Sequence, residues 1–144
     1  MKSMNKDLIK LSLKIIDSSK HALIASVDEG GFPNLKAMLQ PREHDGLKTF
    51  YFTTNTSSMR VKQYLNNPKA SIYFYDGQRF LGLMLRGTME VLQDQPTKDR
   101  IWRNGDTMYY PAGVTDPDYC VLKFTADNAR LYESFTSTDF EIES

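Results

Sequence analysis

The sequence has few of the residues that proteins use for cross-links, metal binding or nucleophilic catalysis. Among its 144 residues are one cysteine and two histidines. Because Cys120 has no second cysteine to pair with, an intramolecular disulfide is excluded, and we expect a buried, inert thiol in a reducing compartment. His21 and His44 belong to no HxH, HExxH or CxxC pattern, so no metal site is predicted. The sequence also lacks GxSxG and GxGxxG motifs.

An excess of charge of one sign and long apolar runs are also missing. Lys+Arg and Asp+Glu number 18 each, which argues against nucleic acid or an anionic membrane as a partner, although aromatic residues are frequent. No apolar run approaches the roughly 18 residues that span a bilayer. Residues 1–19 predict an amphipathic helix, with its apolar face between residues 5 and 18, and not a signal peptide. We therefore expect a cytoplasmic protein.

What the sequence does contain is a succession of short strand patterns that end at turn residues. The seven predicted strands are HALIASVD, NLKAMLQ, LKTFYFTT, KASIYFYD, FLGLMLRGTMEVLQ, YCVLKFTAD and ARLYESF. DEGG, HDG and DGQ are turn sequences, and Asp127-Asn128 is predicted to turn a final hairpin. Gly82 and Gly87 are predicted bends or bulges inside the fifth strand. Helices are predicted over 58–66 and 94–106.

This order of elements predicts one mainly β domain over residues 1–144. Hairpin turns and few helices favour an antiparallel, Greek-key-like closed barrel with flanking helices. A parallel sheet is not expected, since it needs a helical crossover between strands. The last nine residues, 136–144, are polar and are predicted to fray.

The stretch FYFTTNTSSMRVKQYL, residues 50–65, places a series of hydroxyl side chains between a strand and a helix. A helix start offers unpaired N–H groups and the positive end of the helix dipole, which suit a phosphate. Arg60 adds a forked, permanently charged donor. The alternative is an ordinary helix cap at Ser57 or Ser58 with a solvated arginine. Lys36, on the second predicted strand, is either a further cation beside this site or a solvated strand residue.

Four stretches together resemble a known family. They are ALIASVDEGGFPNLKAMLQ, GLKTFYFTTNTSSMRVKQYLNNPKASIYFYD, and GTMEVLQD with DPDYCVLKFTADNARLY. Residues 20–133 resemble the pyridoxamine 5'-phosphate oxidase-like proteins, which are FMN-binding split β-barrels, and in particular their short general-stress-protein-26-like branch. The resemblance implies a split β-barrel and a homodimer with two FMN sites at the subunit interface.

The resemblance also implies the residues that contact FMN. From one subunit these are Lys36, Ala37, Met38, Phe52, Thr53, Thr54, Ser57, Ser58, Met59 and Arg60. Lys36 stands where the family often has arginine, and Met59 lacks the charge that the family's Ser-Arg-Lys-like phosphate stretch carries there. Trp102, Tyr109 and Tyr110 would cover the flavin ring from the partner subunit, or else belong to ordinary packing.

Two functions follow from the resemblance. The first is an FMN-dependent oxidoreductase that passes electrons from NADH or NADPH to a small substrate, with no catalytic side chain identified. The second is a non-catalytic protein that binds FMN or another phosphate ligand for storage or sensing, and a purely structural dimer is a third reading. The family's full oxidases carry a C-terminal basic substrate clamp that this sequence lacks, so pyridoxamine phosphate oxidase activity is not expected.

Overall fold

The computed structural model describes the backbone of residues 2–143 and the side chains of residues 5–143. The elements in chain order are α1 (Lys2–Ser18), β1 (His21–Val27), β2 (Pro33–Leu39), β3 (Glu43–Asp45), β4 (Thr49–Asn55), α2 (Met59–Asn66), β5 (Lys69–Asp76), β6 (Leu81–Leu92), α3 (Gln95–Ile101), β7 (Tyr119–Glu133) and β8 (Thr136–Glu141). Two short 3₁₀ turns, Asp106–Met108 and Gly113–Thr115, lie between α3 and β7. Met1 and Ser144, the predicted ends of the N-terminal helix and of the domain, lie outside the described residues.

The strands form one antiparallel sheet with the order β2-β1-β5-β6-β7-β4-β3, and β8 pairs with β7 beside this path. The mainly β, antiparallel split barrel is confirmed. The prediction of a closed barrel is wrong, because within residues 2–143 no pairing joins β2 to β3 or β4. Pro33 opens β2 and Pro41 follows it, and a proline nitrogen cannot donate to a neighbouring strand, which helps to keep this edge open.

The C-terminal part of the sheet differs from the prediction. Asp127-Asn128 does not turn the chain, because β7 continues through it to Glu133 and the hairpin turns at residues 134–135. The register of β6 and β7 shifts between Arg86 and Gly87, which face residues 128 and 126, so Asp127 is the extra residue of a β-bulge. The bulge predicted at Gly87 is thus confirmed. The predicted fraying is wrong for residues 136–141, which form β8 along β7.

The main core lies between the inner face of the sheet and the helices α1 and α2. Strand alternation sends every second side chain inward, and α1 contributes Ile15 and Ile16 while α2 contributes Val61 and Tyr64. Fully burying one such side chain contributes roughly 1.5–3 kcal/mol. A smaller cluster under the connection between α3 and β7 consists of Ile101, Tyr110, Tyr119 and Val121.

The helices begin close to the predicted positions. Ser58 caps α2 by accepting a backbone N–H of its first turn, and it is one of the two predicted caps. Asp94 caps α3 in the same way, but α3 ends at Ile101 rather than at residue 106 because Trp102 has an extended backbone. No helix within residues 2–143 is both long and apolar enough to cross a membrane.

Candidate functional site

A cleft of about 340 Å³ lies between the edge strand β2, the C-terminal half of β4 and the start of α2. Residues 102–118, hereafter the aromatic loop, border it on the remaining side. The lining residues are Lys36, Ala37, Met38, Leu39, Gln40, Arg42, Phe52, Thr53, Thr54, Asn55, Arg60, Tyr109 and Tyr110. This lining contains cationic side chains but no carboxylate, so the cleft attracts anions. Four larger surface depressions, of about 590, 670, 450 and 350 Å³, mix acidic and basic side chains and lack this uniform charge.

Arg60 lies at the end of the cleft where β4 meets α2. Its Nη2 donates to the Thr54 hydroxyl at 3.1 Å, whereas its Nε is buried and has no hydrogen-bond partner. Among the side chains of residues 5–143, no carboxylate is within ion-pair distance of Arg60. Leaving a buried donor without an acceptor costs about 1–3 kcal/mol. Arg60 also lines the cleft, so its guanidinium is the group at this end with which a bound anion would pair.

The turn before α2 is held by Asp118, at the end of the aromatic loop. Its carboxylate accepts the Ser57 N–H at 2.8 Å and the side-chain amide of Asn55 at 3.0 Å. These hydrogen bonds, the one from the Ser57 N–H foremost, hold the pKa of Asp118 below its usual value. Ser58 is engaged as the helix cap, and Ser57, Ser58 and Met59 do not line the cleft. The donors that face the cleft at this end are therefore those of β4 and Arg60.

β2 brings Lys36 and Met38 to the cleft by strand alternation. Lys36 faces Ile24 of β1 and Met38 faces Ala22, and both of these β1 residues are buried in the core. Side chains at facing positions lie on the same side of a sheet, so Lys36 and Met38 belong to the inner face. Lys36 itself is exposed and forms no ion pair with any described side chain. Its charge is therefore available to a ligand in the cleft.

A buried ion pair joins the aromatic loop to the strand side of the cleft. Arg42, which follows β2, donates from Nη1 and Nη2 to the two carboxylate oxygens of Asp106 at 2.7 and 2.8 Å. The two side chains are only 8% and 6% exposed. Burial acts to raise the pKa of Asp106, but the hydrogen bonds from Arg42 and from the Arg103 N–H outweigh burial, and the pKa is lowered. The hydrogen bond to Asp106 likewise raises the pKa of Arg42.

The aromatic loop presents one buried and one exposed tyrosine to the cleft. Tyr110 is buried, which raises its pKa, and its ring centroid lies 4.7 Å from that of Tyr119. Tyr109 is 46% exposed. Trp102 packs against Tyr119 in the smaller cluster and does not reach the cleft. Both cleft tyrosines line the cleft of their own chain, and the contact of Trp102, Tyr109 or Tyr110 with the flavin of a partner subunit stays a prediction.

Most of the residues predicted from the sequence come together in this cleft. They are Lys36, Ala37, Met38, Phe52, Thr53, Thr54, Arg60, Tyr109 and Tyr110. The predicted residues that lie outside it are Ser57, Ser58, Met59 and Trp102. The lining residues that the sequence analysis missed are Leu39, Gln40, Arg42 and Asn55. An arginine after a proline carries no local signal of a site, and only the fold brings Arg42 to a carboxylate 64 residues away.

The remaining candidates for chemistry lie elsewhere. Cys120 is buried, as expected, and burial raises the pKa of its thiol. The His44 ring stacks on Phe50 with 5.3 Å between the ring centroids. In the described part of the chain, no group of three or more His, Cys, Asp or Glu residues is arranged to hold a metal ion.

Comparison with known proteins assigns the class to which this fold and cleft belong. The sequence pattern of the pyridoxamine 5'-phosphate oxidase family matches residues 10–133. The chain therefore belongs to that family. It is 40% identical to a Clostridium acetobutylicum protein related to general stress protein 26 of B. subtilis, whose crystal structure superposes with a TM-score of 0.86 over 94% of this chain and 95% of that chain.

A relative that is named as an enzyme matches a smaller part of the chain. The pyridoxine/pyridoxamine 5'-phosphate oxidase of Agrobacterium fabrum is 30% identical over 80 residues. This match covers 56% of the present chain and only 38% of the length of the Agrobacterium protein. The two chains therefore share part of a domain rather than a whole protein.

Two more distant structures share the fold alone. General stress protein 26 of Bacillus anthracis superposes with a TM-score of 0.74 at 17% identity, over 94% of this chain and 98% of that chain. A pyridoxamine 5'-phosphate oxidase-related, FMN-binding protein of Nostoc punctiforme superposes with a TM-score of 0.69 at 16% identity, over 96% of each chain.

Proposed function

We propose that this protein binds FMN in the cleft and acts as an FMN-dependent oxidoreductase. The observation that carries the proposal is Arg60, a guanidinium with a buried, unpaired Nε and no carboxylate partner among the described side chains. It lies in a cleft whose lining holds no carboxylate. Membership of the pyridoxamine 5'-phosphate oxidase family supports a flavin phosphate as the anion.

The residues of the cleft fit the different parts of a flavin nucleotide. Arg60 and Thr54 would hold the phosphate, and Lys36 adds a second positive charge. Tyr109 and Tyr110 offer aromatic surface for a planar ring. The cleft volume of about 340 Å³ is near the lower end of the usual range for ligand pockets, roughly 300–1,000 Å³. A site of this size is consistent with completion by a second subunit.

The chain's own contribution is binding, orientation and electrostatics. Bound FMN would supply the redox chemistry, accepting a hydride from NADH or NADPH and passing electrons to a small substrate. The lining contains neither histidine nor carboxylate, so we assign no lining side chain as a general base. Lys36 would place positive charge beside an electron-rich ligand, which is favourable in a partly desolvated cleft.

A non-catalytic protein that binds FMN or another phosphate-bearing ligand is the second candidate. The same Arg60 favours it, and so does a lining that contains neither histidine nor carboxylate. The two candidates share the binding site and differ only in whether electrons are transferred.

Titration of the purified protein with FMN and with riboflavin tests the site. Replacing Arg60 with Ala should weaken FMN binding by about 1.5–3 kcal/mol, the scale of a hydrogen bond to a charged group. Riboflavin binding should change little, because riboflavin has no phosphate. Lys62→Ala is the matched control, since Lys62 lies on the same helix, is highly exposed and does not line the cleft. An unchanged FMN dissociation constant in Arg60→Ala would contradict the site.

Adding NADH or NADPH to the FMN-loaded protein without oxygen separates the two candidates. Loss of the yellow colour supports the oxidoreductase, and persistent colour supports the non-catalytic binding protein. A wild-type protein that takes up no added FMN would contradict both.

The proposed functional unit is a homodimer, and the outer face of the sheet supports this part of the proposal. Leu35 and Leu39 of β2 are 74% and 56% exposed, and Leu23 of β1 and Tyr75 of β5 are 37% and 44% exposed. Exposed apolar patches of this kind mark interaction surfaces. Leu39 also lines the cleft, so a second copy on this face would approach the FMN site. A two-fold axis lets one such face cover the same face of a second chain.

A further inference from the structure

The pair of Arg42 and Asp106 is the least exposed of the ion pairs that the described residues form. Burying an ion pair brings little net stability, because desolvation offsets the attraction between the charges. The backbone N–H of Arg42 also donates to the carbonyl of Tyr51 on β4 at 2.7 Å. The pair therefore connects the aromatic loop to β4, one of the strands that form the cleft. Its main effect is to fix the position of the aromatic loop.

Asp106 also holds the backbone of both cleft tyrosines. Its carbonyl accepts the N–H groups of Tyr109 and Tyr110, each at 2.9 Å. Tyr110 has further support, since its ring packs against Tyr119 and Trp102. Tyr109 has one aromatic neighbour, the Tyr110 ring at 6.2 Å, and is the more exposed of the two. Tyr109 is therefore held mainly by the turn that begins at Asp106, and the Asp106 side chain fixes that turn to Arg42.

The charges of Arg42 and Asp106 cancel, which separates their role from that of Arg60. A neutral pair adds little to the attraction of the cleft for an anion, although Arg42 is one of its lining residues. Arg60 has no such carboxylate partner. The anionic part and the planar part of a ligand thus depend on different residues of this chain.

We propose that Arg42 and Asp106 are positioning residues that hold Tyr109 at the edge of the cleft, against the planar part of a phosphate-bearing aromatic ligand. The inference rests on the proposed FMN site. It requires that affinity for FMN depends on the pair, while affinity for inorganic phosphate does not.

A double-mutant cycle on the full chain tests this inference. The first arm replaces both charges together, Arg42→Met with Asp106→Leu, so that the net charge of the cleft is unchanged. The second arm is Tyr109→Ala, and the third combines the two. If the pair acts through Tyr109, each arm alone weakens FMN binding about tenfold and the combination weakens it by less than about twofold more. Phosphate affinity, followed by NMR titration, should stay within about twofold in every arm because no net charge is lost.

The matched control is Asp139→Asn, which breaks the surface pair with Arg130 away from the cleft. It should leave FMN and phosphate affinity unchanged. If the doubly replaced protein does not fold, the neutral pair Arg42→Gln with Asp106→Asn takes its place in the cycle, because amides still form hydrogen bonds and the net charge of the cleft stays the same. The non-additivity with Tyr109→Ala is then the deciding quantity.

Fully additive losses of FMN affinity would overturn the inference, and so would equal losses for FMN and phosphate. If the pair only stabilised the fold, less of the variant protein would be folded, and the apparent affinities for FMN and phosphate would fall equally. Failure of the proposed function looks different, since the wild-type protein would then bind no FMN.

Discussion

The arginine side chains of this protein differ in the groups that accept their hydrogen bonds. Arg100 and Arg130 pair with carboxylates at the surface, where such pairs contribute about 0–1 kcal/mol. Arg79 pairs with Asp76, whose side chain is 9% exposed. Arg42 has a buried carboxylate, and Arg60 has only a hydroxyl. The arginine with a buried, unpaired Nε is therefore the one placed to receive a ligand. The residue with the most complete set of acceptors is placed to hold the structure around that ligand.

Acid unfolding should show how much the ion pair of Asp106 contributes to stability. The folded-state pKa of Asp106 lies below its usual value of 3.8. Its stabilisation is therefore fully present above that value, and it is lost as the pH falls through the lower folded-state pKa. Asp106→Asn should lower the free energy of unfolding in urea by about 3–5 kcal/mol near neutral pH, because Arg42 is left buried and unpaired.

The difference between wild type and Asp106→Asn should shrink when the same unfolding is measured at about pH 3, where the unfolded carboxyl is protonated. Asp139→Asn, in an exposed pair, should lower stability by no more than about 1 kcal/mol at either pH. If the difference in free energy of unfolding between wild type and Asp106→Asn stayed constant down to low pH, the ionised Asp106 carboxylate would not be the source of the stabilisation.

The site residues that could be predicted from the sequence are those with a local signal. Ser58 caps the helix that begins one residue later, and Arg60 follows the hydroxyl-rich turn directly. Arg42 and Asp106 have no local signal, because their pairing depends on how α3 and the aromatic loop fold back onto the strands. The face of β2 that Lys36 shares with Met38 follows from the two-residue period of a strand, which is independent of tertiary structure.

At the level of elements, strand and helix types followed from the sequence, while the C-terminal hairpin did not. Asp-Asn pairs favour turns through their side-chain hydrogen bonds, but the same local backbone freedom suits a β-bulge. The matching irregularity at Gly87 on β6 decides between the two, since β7 stays paired across it. Whether Asp127-Asn128 forms a turn or a β-bulge depends on the neighbouring strand, so residues 126–129 alone do not predict it. The open edge of the sheet is likewise a property of strand pairing rather than of any single strand.

β8 offers a direct test of this correction, because a frayed tail and a paired strand respond differently to substitution. Phe140 of β8 faces Ala129 of β7 and packs against the main core, and it is half-buried. Phe140→Ala should lower the free energy of unfolding by about 1.5–2.5 kcal/mol, roughly half the effect at a fully buried phenylalanine. Ser137→Ala, at an exposed position of the same strand, should change it by less than about 0.5 kcal/mol. If both variants change the free energy of unfolding equally little, the tail is frayed and β8 is not a stable strand.

For the whole molecule, the open edge and the exposed outer face of the sheet are connected features. β2 has a strand neighbour on one side only, exposes Leu35 and Leu39, and borders the cleft on its other side. Covering β2 with a second copy would bury this apolar surface and enclose the proposed FMN site together. Oligomeric state and cofactor affinity should therefore change in the same variants.

Leu35→Glu places a charge at the centre of the surface that the proposed dimer buries. Sedimentation should show a dimer for the wild type and a monomer for this variant, because an unpaired carboxylate in a buried interface is strongly unfavourable. The monomer should bind FMN more weakly than the dimer, since half of the enclosure is missing. Leu65→Glu is the control, because Leu65 is similarly exposed, at 65%, but lies on α2. A monomeric wild type, or a Leu35→Glu monomer with undiminished FMN affinity, would show that one chain is sufficient to form the site.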